Sequence, residues 1–390
     1  MYYLLGGVTL SRLKFKNKYI KIIVMSLCLI LPLGLGSIIY KLNSKVSEIE
    51  AIKIVEDDQI KQQYQLLLQN LFDYRSKAIL EQNEEILKEL YDTDKKTGLW
   101  AYEHEVEKMK YLKNWSSKQG VTFNDIKTKV KIRKVKEKET DLYGIICNVA
   151  TDYNYSYENE KDVKNIFRIG TEHYLNVKIK DNQYIITKEW YTDPFADSLN
   201  LENIKSDDIR SYILAQQKPD IQLTQEQQKA IDYAHRYCGV STEEEYEFKF
   251  NREYKNFNPD GGDCANFASQ IMYESGRFKK NSIWNYNNRD GTKAWVNAQG
   301  FKNYILNSGR GSLICKGSYE ETYKESYNLR PGDFVAYEKG GRITHVSTVT
   351  GMDSKGYPLV TCHNTDRLLV PWDLGWSNKT IRFHLIRVHY

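Results

Sequence analysis

Residues 258–276, NPDGGDCANFASQIMYESG, constrain this chain more than any other stretch. A glycine pair, Gly261 and Gly262, gives way to Asp263 and Cys264, and a helical pattern begins there. Ala265, Phe267, Ala268, Ile271 and Met272 recur at helical spacing and predict one apolar face. Asp263 stands where an N-cap carboxylate accepts from the first free amides. Gly276 stands where a C′ glycine closes the helix. Cys264 is therefore expected in the first helical turn. The unpaired amides and macrodipole at a helix N-terminus favour negative charge, which predicts a thiol lowered toward the thiolate. Position alone also suits an inert buried cysteine.

A length of 390 residues leaves room for two or three domains. A hydrophobic content of 41% and a charged content of 27% are those of a folded chain. The net charge of +5 suits work near an anionic surface and is too mild for a nucleic-acid footprint. Thirty tyrosines against thirteen phenylalanines imply large, half-wet aromatic surfaces.

Residues 1–21 are basic, with Arg12, Lys14, Lys16, Lys18 and Lys21, and precede an apolar stretch over 22–40. That order is an export signal, and the stretch is long enough to span a bilayer. It predicts a transmembrane anchor that places all that follows Lys41 outside the cell; cleavage near Gly34 and Gly36 would release a secreted chain. Beyond Cys28 there are five cysteines, Cys147, Cys238, Cys264, Cys315 and Cys362, so one stays unpaired under any disulfide scheme. No CxxC spacing supports a zinc or redox site, and no cofactor is expected.

Residues 41–195 read as a helical stalk and an α+β module. Apolar residues from Ile49 to Leu90 recur at a near-3.5 period, and a second helix is expected over 100–118. The period then changes to two. Val130, Ile132 and Val135 alternate with seven basic residues between Lys127 and Lys138, predicting a strand with one basic face. Strands at 142–149, 167–179 and 184–191 follow, the last two joined by a turn at Asp181 and Asn182. Helices before a meander resemble, by element order alone, the cone-shaped folds related to nuclear transport factor 2. No catalytic constellation is visible in this module. Residues 196–223 form a linker with a polar helix ended by Pro219. Thr224 and Gln227 make a capping box that opens the last domain, 224–390.

A thiolate nucleophile needs a base and a group that orients the base. Among seven histidines, His345 opens a β run after the turn at Gly340 and Gly341, and the return strand carries Cys362, His363 and Asn364. Hairpin pairing sets His345 opposite His363 or Thr365 in one register and opposite Asn364 in the other. Either way a polar group lies beside it, which is the arrangement of base and orienter. Metal ligation by His345, Cys362 and His363 is disfavoured, because adjacent strand residues point to opposite faces.

GGDCANFASQ, then LRPGDFVAY, then THVSTVTGMDSKGYPLVTCHNTDR and PW, closely resemble the putative amidase domain family of exported Gram-positive bacterial proteins. The resemblance covers about residues 224–390 and implies a papain-like fold related to NlpC-type and CHAP wall peptidases. It implies a Cys–His hydrolase of amide bonds with Cys264 as nucleophile, His345 as base and His363 as third member, Asn364 being the alternative. The family usually has Asp before the base histidine, where this chain has Thr344. By the same analogy Tyr254 is a candidate oxyanion donor, with the Cys264 amide. Trp284, in SIWNYNN, is a candidate for the wall of a substrate groove, whereas Trp295 on the 293–307 helix is expected in the core. The expected chain is α+β, membrane-anchored and extracellular, acting on peptide or peptidoglycan stems, or else an inactive wall- or peptide-binding module on a stalk.

Overall fold

The structure, a computed structural model, describes residues 62, 64–180, 183–199 and 205–390. The anchor over 22–40, the start of the stalk, the turn at Asp181 and Asn182 and the start of the linker helix lie outside them. Among the described residues no helix is long and apolar enough to cross a membrane.

The chain enters through α1, residues 64–81, and α2, Glu84–Glu89. The single long helix expected here is broken at Gln82, which takes φ +56°, and Asn83 recaps the chain by accepting from the Ile86 amide. Next comes α3, Lys96–Gln119, closed by Gly120 at φ +75°, whose N–H returns to the carbonyls of Ser116 and Ser117. A left-handed terminator of this kind favours glycine.

Four long antiparallel strands follow: β1 Val121–Glu139, β2 Leu142–Tyr157, β3 Glu160–Lys180 and β4 Gln183–Tyr191. All run beyond or up to the lengths expected from alternation. The linker holds α4, Asp207–Ala215, capped by Ser206. Then α5, Gln225–Tyr237, opens on the expected Thr224–Gln227 capping box, and α6 spans Cys264–Glu274. Two short pairing strands, β5 and β6, at Tyr286–Asn287 and Asp290–Gly291, lead to α7, Lys293–Val296, and α8, Ala298–Asn307. The rest is β7 Gly311–Gly317, α9 Tyr319–Ser326, β8 Phe334–Lys339, β9 Arg342–Met352, β10 Pro358–Cys362, β11 Asp366–Pro371 and β12 Ile381–Val388.

Among the described residues β5 and β6 pair only with each other, and the other ten strands form one sheet, in the order β1-β2-β3-β11-β10-β9-β8-β12-β7, with β4 also on β3. The meander and the C-terminal sheet are therefore continuous, and β3 is the shared element. Its start pairs with β11 through Arg168–Leu368, Ile169–Arg367 and Gly170–Asp366, and its end pairs with β4 from His173 to Lys180. Residues 61–390 make a single compact unit.

Each face of the C-terminal sheet carries its own core. One core unites Met109, Leu112, Trp115, Tyr155 and Phe167 with Val335, Tyr337, Val349, Trp372 and Phe383. The other packs Cys264, Ala265, Ala268, Trp284, Trp295 and Phe301 on Phe334, Ala336 and Val346. Burying one such phenylalanine contributes about 2 kcal/mol. Polar ties cross the same boundary. Tyr155 and Tyr157 both donate to Asp353 Oδ2, at 3.0 and 2.7 Å. Trp115 Nε1 and Lys205 Nζ meet Asp373 Oδ2 at 3.1 and 2.8 Å.

Gly170 marks the junction. A Cβ there would lie 2.3 Å from Val240 Cγ1 and 3.2 Å from Asp366 Cβ. Gly170→Ala is expected to cost about 1–3 kcal/mol by overpacking. In thermal unfolding the wild type should melt in one transition and the variant in one transition at lower temperature. Two independent transitions, with only one displaced, contradict a shared sheet and core.

Candidate active site at the start of helix α6

The loop before α6 is turned by Gly261 and Gly262, at φ +109° and +136°. Gly262 is also a point of close approach, since a Cβ there would lie 2.3 Å from Asn364 Nδ2. Asp263 then occupies the N-cap position but its side chain caps no helix amide. This corrects the expected role. Asp263 Oδ1 instead accepts from the Phe257 amide at 2.8 Å and from Asn266 Nδ2 at 2.9 Å, and Oδ2 meets His363 Nδ1 at 2.5 Å.

His363 is thus tied to the residue before Cys264 rather than to His345. Its Nε2 lies 2.8 Å from the Tyr237 carbonyl oxygen, which can only accept, so Nε2 carries a proton. Burial disfavours a charged ring. The hydrogen bond and charge of Asp263 outweigh burial and raise the His363 pKa. The ring lies between Phe267, stacked at 3.7 Å and 6°, and Phe250 at 4.2 Å, a setting that suits an imidazolium. Its neighbour Asn364, at φ +67°, accepts the Asp263 amide through Oδ1 at 2.5 Å. Two successive residues of the β10–β11 turn therefore latch the start of α6.

The expected amphipathic character of α6 is also revised: Cys264 to Met272 are all buried. Its polar residues are matched one by one. Asn266 Oδ1 accepts from Trp295 Nε1 at 2.9 Å, Ser269 Oγ accepts from Trp284 Nε1 at 3.0 Å, and Gln270 Oε1 accepts from Tyr233 Oη at 2.8 Å. Trp284 is consequently core, packed on Trp295 and Tyr304, and walls no groove. Trp295 is core, as its spacing implies. Tyr254 is buried with its hydroxyl donated to Glu274 Oε1 at 2.5 Å, so the proton that an oxyanion would need is already engaged.

Cys264 is the first residue of α6 and is 6% exposed. Burial pushes its thiol up to about 12, against a small opposing effect of the Val346 backbone. The expected lowering by the helix start is overridden by desolvation. Val346 belongs to the core that holds Cys264, whereas His345, the adjacent strand residue, pairs across from Tyr337 in the other core. His345 Nε2 lies 3.1 Å from Ser347 Oγ and 3.3 Å from Cys362 Sγ, and the ring stacks on Trp376. Burial and the Arg367 charge push His345 down to about 3, so its ring is neutral. Among the described residues no hydrogen bond joins Cys264 to His345 or to His363. A bulge between Tyr337 and Glu338 and another between Leu359 and Val360 set this register, and neither is visible in the alternation.

Cys362, beside His345, and the aromatic bracket of Phe250 and Phe267 were absent from the expected site. Their one sequence signal is the adjacency of Cys362 and His363, which on a strand must serve opposite faces. All five described cysteines are free thiols, and no group of three or more His, Cys, Asp or Glu among the described residues could hold a metal ion.

Gly261, Gly262, Asn364, Thr365 and Asp366 border a cleft of about 970 Å³ whose far wall is the outer face of β1 to β4. Half-buried Asp366 is pushed up to about 7, first by burial and then by Asp263 and Glu172 against the effect of His363.

A thiol at a helix start, a histidine–carboxylate pair before it and an antiparallel sheet behind it belong to one α+β domain. Residues 224–386 match the model of the putative amidase domain family, the family that the motifs of this stretch resemble. A protein of Bacillus subtilis (strain 168), named Uncharacterized protein YjcM, is 31% identical over 154 residues. That match covers 37% of this chain and 34% of the relative, so the chain spans about a third of the relative's length. No solved structure matches.

The latch has a calculable sign. A raised His363 pKa means that its stabilisation is fully present below the ordinary histidine value and is lost as pH rises through the folded value. Melting temperature should therefore fall as pH rises above the ordinary histidine value, and His363→Gln should flatten the dependence. Asp263→Asn, which leaves a buried cation unpaired, should cost about 3–5 kcal/mol in urea unfolding. A pH profile identical in wild type and His363→Gln contradicts the assignment.

Proposed function

We propose that the chain hydrolyses amide bonds with Cys264 as nucleophile, in a papain-like arrangement outside the cell. The observation that carries this reading is the construction around Cys264: a thiol opening a rigid buried helix, behind a glycine pair that borders the large cleft, with the preceding residue clamped by His363 and Asn364. Because the Asp263 carboxylate is directed elsewhere, it leaves the first-turn amides of α6 uncapped. Such amides can meet a developing oxyanion.

The chemistry follows from the thiol. Cys264 Sγ attacks the amide carbonyl carbon, and the C–N bond breaks as the thiol proton passes to the leaving amine. Water then hydrolyses the thioester and returns the thiol. His345 is the proposed base: its neutral ring can accept a proton, and the proposal requires that ring to leave Ser347, Cys362 and Trp376 in the opposite core and come within hydrogen-bond reach of the sulfur. Peptidoglycan stem peptides are the proposed substrate, since basic residues 1–21 and apolar residues 22–40 are proposed to anchor the chain with the rest facing the wall.

One observation favours a second reading, a wall- or peptide-binding module without turnover. The thiol is held protonated, and both nearby histidines are engaged by other groups. Reactivity separates the two. A hydrolase should lose Cys264 to iodoacetamide faster than the deeper Cys147 and Cys238; equal, slow labelling of all three indicates the binder. Activity is tested on the full chain with purified cell wall. New amine termini should appear with wild type and not with Cys264→Ala. A wild type as silent as the variant overturns the hydrolase reading.

A further inference from the structure

The cleft has a wall that the amidase domain does not supply. Lys131 and Arg133 of β1, Asn148 of β2, Glu172 and Tyr174 of β3 and Trp190 of β4 line it opposite Gly261 and Gly262. Strand register puts them side by side: Lys131 opposite Asn148, Asn148 opposite Glu172, and Tyr174 opposite Trp190. They share the outward face of the meander, since the alternate residues Ile132, Cys147 and His173 are buried. The β3–β11 pairing carries this face directly to Asp366, next to the turn that latches Cys264.

Its composition is unusual for a solvated face. Trp190 is 58% exposed and Tyr174 is 41% exposed, with ring centroids 5.5 Å apart. Large aromatics left open beside a concave surface mark recognition sites. The Tyr174 hydroxyl is donated to Glu172 Oε1 at 2.6 Å and Arg133 meets Glu172 Oε2 at 2.5 Å, so the lone acidic group of this strip is already engaged. Lys131 makes no ion pair among the described residues, which leaves a cation at the wall. Across the cleft stand Asn256, Asn258 and Asn364, whose amides can pair with peptide groups.

We propose that the outer face of the β1–β4 meander is the substrate-reading wall of the cleft, and that it takes an extended peptide bearing a carboxylate. The aromatic pair covers the chain's apolar part, Lys131 meets the carboxylate, and the peptide runs toward Gly261 and Gly262. This rests on the amide-hydrolase reading only for the direction of the peptide toward Cys264. The volume of about 970 Å³ suits several residues of peptide rather than a single side chain.

Binding is measured with the full chain carrying Cys264→Ala, so that turnover plays no part. The probe is a fluorescein-labelled, acetylated tetrapeptide with a central glutamate, compared with its glutamine counterpart, by anisotropy at low salt. The glutamate peptide should bind more tightly. Trp190→Ala should weaken it roughly tenfold, the scale of an interface anchor. Lys131→Glu should erase or reverse the preference for glutamate. Both positions are exposed, so both variants should keep the wild-type melting temperature. Equal binding of the two peptides, or no effect of either variant, overturns the proposal. So does binding of an amino-sugar oligosaccharide at this wall with no peptide binding. If the peptides bind as expected while wild type cleaves no wall amide, the reading wall stands and the hydrolase reading falls. If wild type cleaves wall amides without this binding, the hydrolase reading stands and the reading wall falls.

Discussion

The buried pair between the His363 ring and the Asp263 carboxylate is the contact on which the site depends. It joins positions one hundred residues apart in sequence, one before the first turn of α6 and one at the end of β10. Neither group suits an apolar interior alone, since an isolated buried charge is disfavoured by several kcal/mol. Together, bracketed by Phe250 and Phe267 and completed by the Tyr237 carbonyl, they satisfy each other. The pair also decides what the helix start can do. A carboxylate that would otherwise cap the first amides is turned away, and those amides are left facing the region of the thiol.

The sheet explains the rest of the arrangement. Its two faces hold separate cores, and β9 contributes alternately to both. Cys264 rests against Val346 on one side, while His345 is enclosed with Tyr337, Trp376 and Cys362 on the other. The two residues that define the proposed reaction are therefore held in cores on opposite faces of the sheet, and among the described residues no hydrogen bond joins them. Desolvation dominates the ionisation of each, which holds the thiol protonated and the imidazole neutral. Such a pair is chemically quiet, and the proposed reaction requires the thiol proton to leave as the substrate fills the cleft.

Much of this was legible in the sequence, for local reasons. The Thr224–Gln227 capping box, the helix start at Cys264, the Gly276 terminator and the alternating strands are encoded within a few residues of themselves, and each is present. The misreadings have a common cause in distance. Asp263 looks like a cap until His363 is brought to it. Trp284 looks like a groove residue because its loop is polar, but Ser269 and Trp295 draw it inward. The face taken by His345 depends on bulges in β8 and β10 pairing, and alternation alone carries no sign of a bulge. The continuity of the sheet through β3 was hidden for the same reason. A strand of this length can serve two partners, and nothing in its own alternation shows the second.

The central claim is that Cys264 forms a covalent acyl intermediate, and intact-mass spectrometry tests it most directly. The full chain is mixed with an amide substrate, quenched in acid within the first turnover and then peptide-mapped. The expected result is a mass increase equal to the acyl part of the substrate, on the peptide that carries Cys264 and absent from Cys264→Ala. Product release with no adduct in any quench, or an adduct on Cys362 in place of Cys264, contradicts it.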